Sequence, residues 1–300
     1  MPCPICGEVA SWPVAHRYDP QIEGWRSEIG YSRPYDWHLC RRCSNAFPSV
    51  QPELQVLQRI WQATRAVASS NSENEAAVWR YRRHIGQVAA ERSYRLFSPL
   101  APRIGRFLDI ACGLGETVRI FADHGWRAEG IDADPSMLPL HRQLGIDSRI
   151  GQFERLDLKG RYDLIHIAHA IYFITDPVKF IGTVREHLSP GGLFCVVISD
   201  FMSSVSADPP SYSHTFIPTR SSMRYALAVA GFETVLSRRI SGSIYLAARP
   251  TAKPHQVKVY PRIVRFAYRT KKARYVLIGK PYFCLRALAK RCLALLGKSS

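Results

Sequence analysis

The chain has 300 residues, 46% hydrophobic and 22% charged, which excludes a disordered, collagen-like or disulfide-dense chain and allows one large domain with small additions. No apolar run nears the roughly 20 residues that cross a bilayer. MPCPICGEVA lacks the basic-then-apolar pattern of a secretory leader, so a cytoplasmic protein is expected. Lys and Arg number 41 against 24 Asp and Glu, a net charge of +17. Thirteen of the basic residues and none of the acidic ones fall in residues 251–300. The first 250 residues are therefore nearly neutral and the tail strongly basic. A nucleic-acid enzyme would spread its charge over the body; a basic tail reads as an appended interaction segment.

In chain order, the first signal is two cysteine pairs, Cys3-x-x-Cys6 and Cys40-x-x-Cys43. In a reducing compartment such knuckles are metal ligands more often than disulfides. Four thiolates make a closed, tetrahedral, structural zinc site. Gly7 and Ser44 follow the two knuckles, small residues that tight turns around sulfur favour. Residues 1–50 are thus expected to form a zinc-ribbon module. Residues 51–98 read as helical, with a break at Ser69-Ser70-Asn71-Ser72 and a second helix over roughly 74–96 that ends at Ser98-Pro99.

From 99 to 250 strands and helices alternate. Strands are expected at 106–111, 127–131, 149–151, 162–168, 193–199, 232–238 and 243–248, with helices at 115–124, 135–144, 178–188 and 221–230. This rhythm predicts a doubly wound, mostly parallel sheet with its site at the strand C-termini, the last two strands forming an antiparallel addition.

The stretch Phe107-Leu108-Asp109-Ile110-Ala111-Cys112-Gly113-Leu114-Gly115-Glu116 runs a strand into an acid, a Gly-x-Gly turn and a helix. Glycines there let backbone approach a ligand closely. Asp132, at the end of the next strand, is placed to hydrogen-bond ribose hydroxyls. The third glycine of a dinucleotide fingerprint is replaced by Val118. Asp109 would repel a pyrophosphate and attract an ammonium group. S-adenosylmethionine carries an ammonium and a sulfonium and no phosphate, so it is favoured over NAD or ATP.

With LDIACGLGE, GIDADPSM, RYDLIHIAHAIYFITDP, FIGTVREHLSPGGLFCVVISD and HTFIPTRSSMRYALAVAGFETV, residues 75–250 resemble the class I S-adenosylmethionine-dependent methyltransferases. The resemblance implies a seven-stranded Rossmann-like sheet. The CPICG and CRRC knuckles narrow it to a subgroup that includes sugar C-methyltransferases and methyltransferases of glycan and natural-product clusters. It implies that Asp109, Ala111, Gly113 and Gly115 line the methionine part of the cofactor, that Asp132 holds the ribose with Ala133 beside the adenine, and that Gln152 and Phe153 flank the adenine amino group. The resemblance also implies that Ala168 lies next to the sulfonium and that Arg82 reaches toward the cofactor carboxylate. Relatives often read His-x-x-Glu-His where this chain has His169-Ala170-Ile171-Tyr172-Phe173. The missing Glu and second His argue against metal-assisted O-methylation, and the Asn/Asp-Pro-Pro-Tyr/Phe motif of base amino-methylation is absent too.

Methyl transfer is an in-line displacement that chiefly needs alignment and exclusion of water. A hydroxyl or carbon acid also needs a base, a task suited to neutral histidine. His169 is the expected base, with Tyr172 and His214 as helpers, whereas His166 reads as a core histidine. The expected acceptor is a small molecule or glycan, methylated on O or C. The competing readings are an RNA methyltransferase with a zinc module and a non-enzymatic scaffold.

Residues 255–300 read as two amphipathic helices, the second opened by Pro281. Arginines and lysines interleaved with aromatics between 262 and 275 suit an anionic membrane surface. The alternatives are packing on the protein's own body or a partner, and, less favoured, nucleic acid.

Overall fold

The computed structural model describes residues 1–18, 35–51, 55, 73–151, 158, 160–206, 214–253 and 256–279. The helix expected after residue 51, the break at 69–72, Gln152, Phe153 and the tail helix opened by Pro281 lie outside the described residues.

The described residues form two sheets. The first is antiparallel and three-stranded, in the order β1 (Ser11–Tyr18), β2 (Tyr35–Cys40) and β3 (Ala46–Pro48). One cysteine knuckle precedes β1 and the other turns β2 into β3. Gly7 and Ser44 adopt φ of +69° and +63°, the left-handed turn that their small size permits.

The second sheet has seven strands: β4 (Arg106–Ile110), β5 (Arg127–Asp132), β6 (Ser148–Ile150), β7 (Tyr162–Ala168), β8 (Leu188–Ser199), β9 (Phe232–Ile240) and β10 (Ser243–Pro250). Their spatial order is β6-β5-β4-β7-β8-β10-β9. Pairing is parallel from β6 to β8, and β10 runs antiparallel to both neighbours. The antiparallel addition expected from the sequence is therefore present, with β10 inserted between β8 and β9. Apart from its last residue β7 is buried, the pattern of a central parallel strand covered on both faces. The chain leaves β4 toward β5 and β6 on one side, then returns to place β7 on the other. That reversal opens a crevice at the C-terminal ends of β4 and β7.

Helices α1 (Glu73–Phe97) and α2 (Glu116–Asp123) cover one face of the sheet, where Phe97, Phe107, Phe121 and Trp126 cluster. The Phe107 and Phe121 rings stack with centroids 3.7 Å apart. Helix α3 (Leu138–Gln143) precedes β6. Helices α4 (Pro177–Glu186) and α5 (Arg220–Val229) cover the other face with Phe180, Ile181, Val184, Met223 and Leu227. Their starts are encoded locally. Asp176 accepts from Lys179 N at 3.0 Å ahead of Pro177, and Thr219 and Ser222 form a reciprocal capping box.

The cysteine module is not a free-standing unit. Cys3, Ile5, Cys40, Cys43 and Phe47 belong to the same core cluster as Ile171, Tyr172, Phe216 and Met223. Helix α6 (Pro261–Arg274), the first part of the basic tail, also packs on the body. Its Tyr268 is buried and stacks on Phe201 with centroids 4.6 Å apart. No helix among the described residues is long and apolar enough to cross a membrane.

Candidate cofactor and acceptor site

The glycine loop forms the floor of the crevice. Ala111, Gly113 and Gly115 have φ of +59°, +54° and +80°. Gly115 caps α2 in the left-handed conformation, and a Cβ there would collide with Ile146. A Cβ on Gly113 would meet nothing within 4 Å, so the loop presents bare backbone to the open crevice. Such a cradle fits a ligand that must approach the main chain closely.

Two buried side chains hold the loop from below. Asp132 accepts from Gly113 N at 2.8 Å and from Asp134 N at 2.9 Å. His141 links Gly113 O through Nε2 and Ser148 Oγ through Nδ1, both at 2.7 Å. Sequence reasoning missed His141. Its only signal was a histidine in a short helix facing the glycine loop across the next strand. Asp132 is a carboxylate, an acceptor of the kind that ribose hydroxyls need, and Ala133 follows it, half-buried. Asp109 lies beneath the loop, buried, with Oδ1 2.7 Å from His166 Nδ1 on the adjacent strand. Glu116, the first residue of α2, is buried and held by Arg83 at 3.2 Å and Arg119 at 3.1 Å. Arg82 lies on α1, and its side chain is outside the described residues.

The opposite wall rises from the end of β7. Ala168 is half-buried, and His169 follows with φ of +51°. A left-handed histidine costs conformational energy, and such strain gathers at functional positions. Its amide donates to Val197 O at 2.8 Å while its side chain stands exposed in the crevice. Tyr172 is buried, and His214 lies edge-on to it with centroids 4.0 Å apart, stacked on Phe173 at 5.5 Å. Tyr172 and His214, 42 residues apart in sequence, thus meet, with His169 near enough to act electrostatically on His214.

Burial, helped by its neighbour His169, lowers the pKa of His214 to about 3. Solvent reaches the His169 side chain, but the surrounding walls desolvate the ring and His166 adds repulsion, and both lower its pKa. Both imidazoles are therefore neutral near pH 7. Burial pushes the Tyr172 hydroxyl upward, so it stays a proton donor. His214 Nδ1 is buried and has no hydrogen-bond partner among the described residues. An orphaned nitrogen in this position fits an incoming hydroxyl.

The segment that carries His214 is stitched in place. Thr215 N donates to Tyr172 O at 2.8 Å, and Gln51 Nε2 donates to Thr215 O at 3.1 Å. Two residues further on, Ile217 bridges to Ala46 of β3.

Cys3, Cys6, Cys40 and Cys43 converge with all four sulfurs within 4.8 Å of one another. Cys3–Cys43 and Cys6–Cys40 are 3.6 Å and 3.5 Å apart. The edge of a tetrahedron with metal–sulfur bonds of about 2.3 Å is about 3.8 Å. Arg42 N and Cys43 N point at Cys40 Sγ from 3.3 Å and 3.4 Å. Hydrogen bonds from Cys3 and the other sulfurs hold the Cys40 thiol low, and those same contacts hold Cys43 high. The donor set, spacing and amide contacts all fit a structural zinc ion.

The sheet order, the crevice at β4 and β7, and the bare glycine loop backed by Asp132 are those of the class I S-adenosylmethionine-dependent methyltransferase fold. The chain belongs to the methyltransferase domain family, which matches residues 78–237. It is 32% identical over 146 residues to a ubiquinone biosynthesis O-methyltransferase of Cereibacter sphaeroides (strain KD131 / KCTC 12085), covering 46% of this chain and 57% of that protein. It is 33% identical over 97 residues to the protein so named in Bradyrhizobium sp. (strain ORS 278), covering 30% and 38%. The chain thus spans between about two fifths and just over half the length of these curated relatives. A solved S-adenosylmethionine-dependent methyltransferase from Mesorhizobium loti superposes with a TM-score of 0.46 at 19% identity, over 53% of this chain and 97% of that one.

Proposed function

We propose that the protein transfers a methyl group from S-adenosylmethionine to a hydroxyl on a ring-shaped small molecule. The observation that carries this reading is the convergence of two neutral histidines, His169 and His214, beside Tyr172 at the end of β7. The cofactor supplies an electrophilic methyl group. Gly113 and Gly115 leave room for its methionine part, and Asp132 offers acceptors to its ribose. His169 is the base that takes the acceptor proton, and His214 Nδ1 is an acceptor that orients the hydroxyl. Tyr172 and Phe173 wall the ring and exclude water.

An imidazole with a lowered pKa is a weak base and pairs best with an acidic hydroxyl. A phenol, near pKa 10, meets that need better than a saccharide hydroxyl. The relatives' name supports O-methylation, and the saccharide expected from the cysteine knuckles is the second acceptor class. Zinc in the cysteine cluster does no chemistry in this reading; it fixes the module against which the His214 segment rests.

The test is a transfer assay with radiolabelled S-adenosylmethionine and two acceptor panels, catechols and phenols in one and sugar nucleotides in the other. O-methylated phenols are expected, with turnover lost and cofactor binding kept in His169→Ala. Label on sugars alone would move the acceptor to the second class. Label on amines, or no cofactor binding by folded protein, would overturn the proposal.

A further inference from the structure

Among the described residues, large apolar side chains stand exposed most densely between residues 260 and 278. Tyr260, Ile263, Phe266, Val276, Leu277 and Ile278 are all exposed, Phe266 at 73% and Leu277 at 75%. The same stretch is basic. Lys258, Arg262, Arg265, Arg269, Lys271, Lys272 and Arg274 fall between 258 and 278 with no Asp or Glu.

Helix α6 uses one edge to hold the body. Val264 and Tyr268 pack in the cluster with Phe201 and Trp37, Arg265 lies 4.8 Å over the Trp12 ring, and Lys271 donates to Met202 O. Ile263 and Phe266 lie off that edge, three residues apart and so on one face. Arg262 precedes Phe266 by four positions and Arg269 follows it by three, which sets both on the same side of the helix as Phe266. Beyond the helix, Val276, Leu277 and Ile278 are exposed as well. An apolar stripe rimmed by arginines suits the headgroup–acyl boundary of an anionic bilayer, where rings and aliphatics enter and guanidinium groups meet lipid phosphates. Nucleic acid would use the charges but not Leu277 and Ile278.

We propose that the outer face of α6, continued to Ile278, docks the protein on an anionic lipid surface. This inference is independent of the methyl-transfer reading, since it uses none of the crevice residues.

Co-sedimentation of the full chain with vesicles tests it, using 70:30 phosphatidylcholine:phosphatidylglycerol against pure phosphatidylcholine. Binding to the anionic vesicles alone is expected, weakening as salt is raised. Phe266→Ser/Leu277→Ser should weaken it at least tenfold, and Arg262→Ser/Arg269→Ser by about fivefold for each charge removed. All four positions are exposed, and an unchanged melting temperature confirms folding in each variant. Equal sedimentation of wild type and both variants would overturn the proposal. So would absence of binding, or a wild-type dimer that the Phe266 variant dissociates, which would assign the face to a second copy.

Discussion

Ala46 and Ile217 exchange two backbone hydrogen bonds, 3.1 Å from Ala46 N to Ile217 O and 2.8 Å in return. Through this bridge the strand that leaves the second cysteine knuckle is joined to the segment that carries His214. Loss of the metal should therefore be felt at the acceptor site more than at the glycine loop. Cys43→Ser is expected to lose zinc, keep S-adenosylmethionine affinity within about threefold, and lose about 100-fold in turnover, the usual result of a 1 Å displacement at a reacting group. Metal analysis, calorimetry and a transfer assay on one preparation check this. A zinc-free variant with full turnover would separate the module from the site.

The left-handed residues of the cofactor loop should respond in opposite directions. Ala111 holds φ of +59° against the preference of an L-residue, which costs about 1–2 kcal/mol. Part of the relief from Ala111→Gly is lost to the freer unfolded chain. The variant should still be as stable as the parent or more stable by up to about 1 kcal/mol. Gly115→Ala adds backbone strain and a collision with Ile146, so it should cost more than about 2 kcal/mol and abolish cofactor binding. Urea denaturation and cofactor titration of the two variants decide the matter.

Asp132 and His141 hold the amide and the carbonyl of Gly113 respectively. A hydrogen bond to a charged group contributes about 1.5–3 kcal/mol. Asp132→Ala is expected to weaken S-adenosylmethionine binding by about 10- to 100-fold. His141→Ala should raise the KM for the cofactor with a smaller change in kcat, because it touches the loop and not the reacting atoms. His141→Gln, which can still donate to the carbonyl, should recover part of the loss. An effect of His141→Ala on kcat alone would remove it from the cofactor cradle.

The histidines set the pH response. In the unfolded chain His214 titrates near pH 6.5, and in the folded protein near 3. Between these values the unfolded state binds the extra proton, so stability falls as pH drops from about 6.5 toward 3, by at most about 1.4 kcal/mol per pH unit for this group. His214→Phe should flatten that part of the stability curve, as thermal melts from pH 4 to 7.5 would show. The lowered pKa of His169 also places the acid limb of kcat/KM below the ordinary histidine range. A limb at or above pH 7 would exclude His169 as the base.

Much of this was legible locally. Strand Tyr162–Ala168 falls where its apolar run ends, because a central strand buried on both faces has no polar periodicity to blur its limits. Helix starts at Asp176-Pro177 and Thr219 follow from capping side chains that act within three residues. The strand at 188–199 begins five residues earlier than expected, since Ser189-Pro190-Gly191-Gly192 reads as a turn while its ladder is set by the partner strand β7. Helix 135–144 is shorter and opens with a 3₁₀ turn at Pro135–Met137.

By itself the sequence determined the alternation that builds the sheet, the glycine loop with its acid at Asp132, and the four-cysteine set, all carried by short-range spacing. Only the tertiary structure decided which distant groups meet. It brought His214 against Tyr172 across 42 residues, locked the glycine loop with His141, and merged the cysteine module into the core beside the site through Ala46 and Ile217. Those contacts arise from packing and backbone pairing across the fold, which leave no periodic trace along the chain.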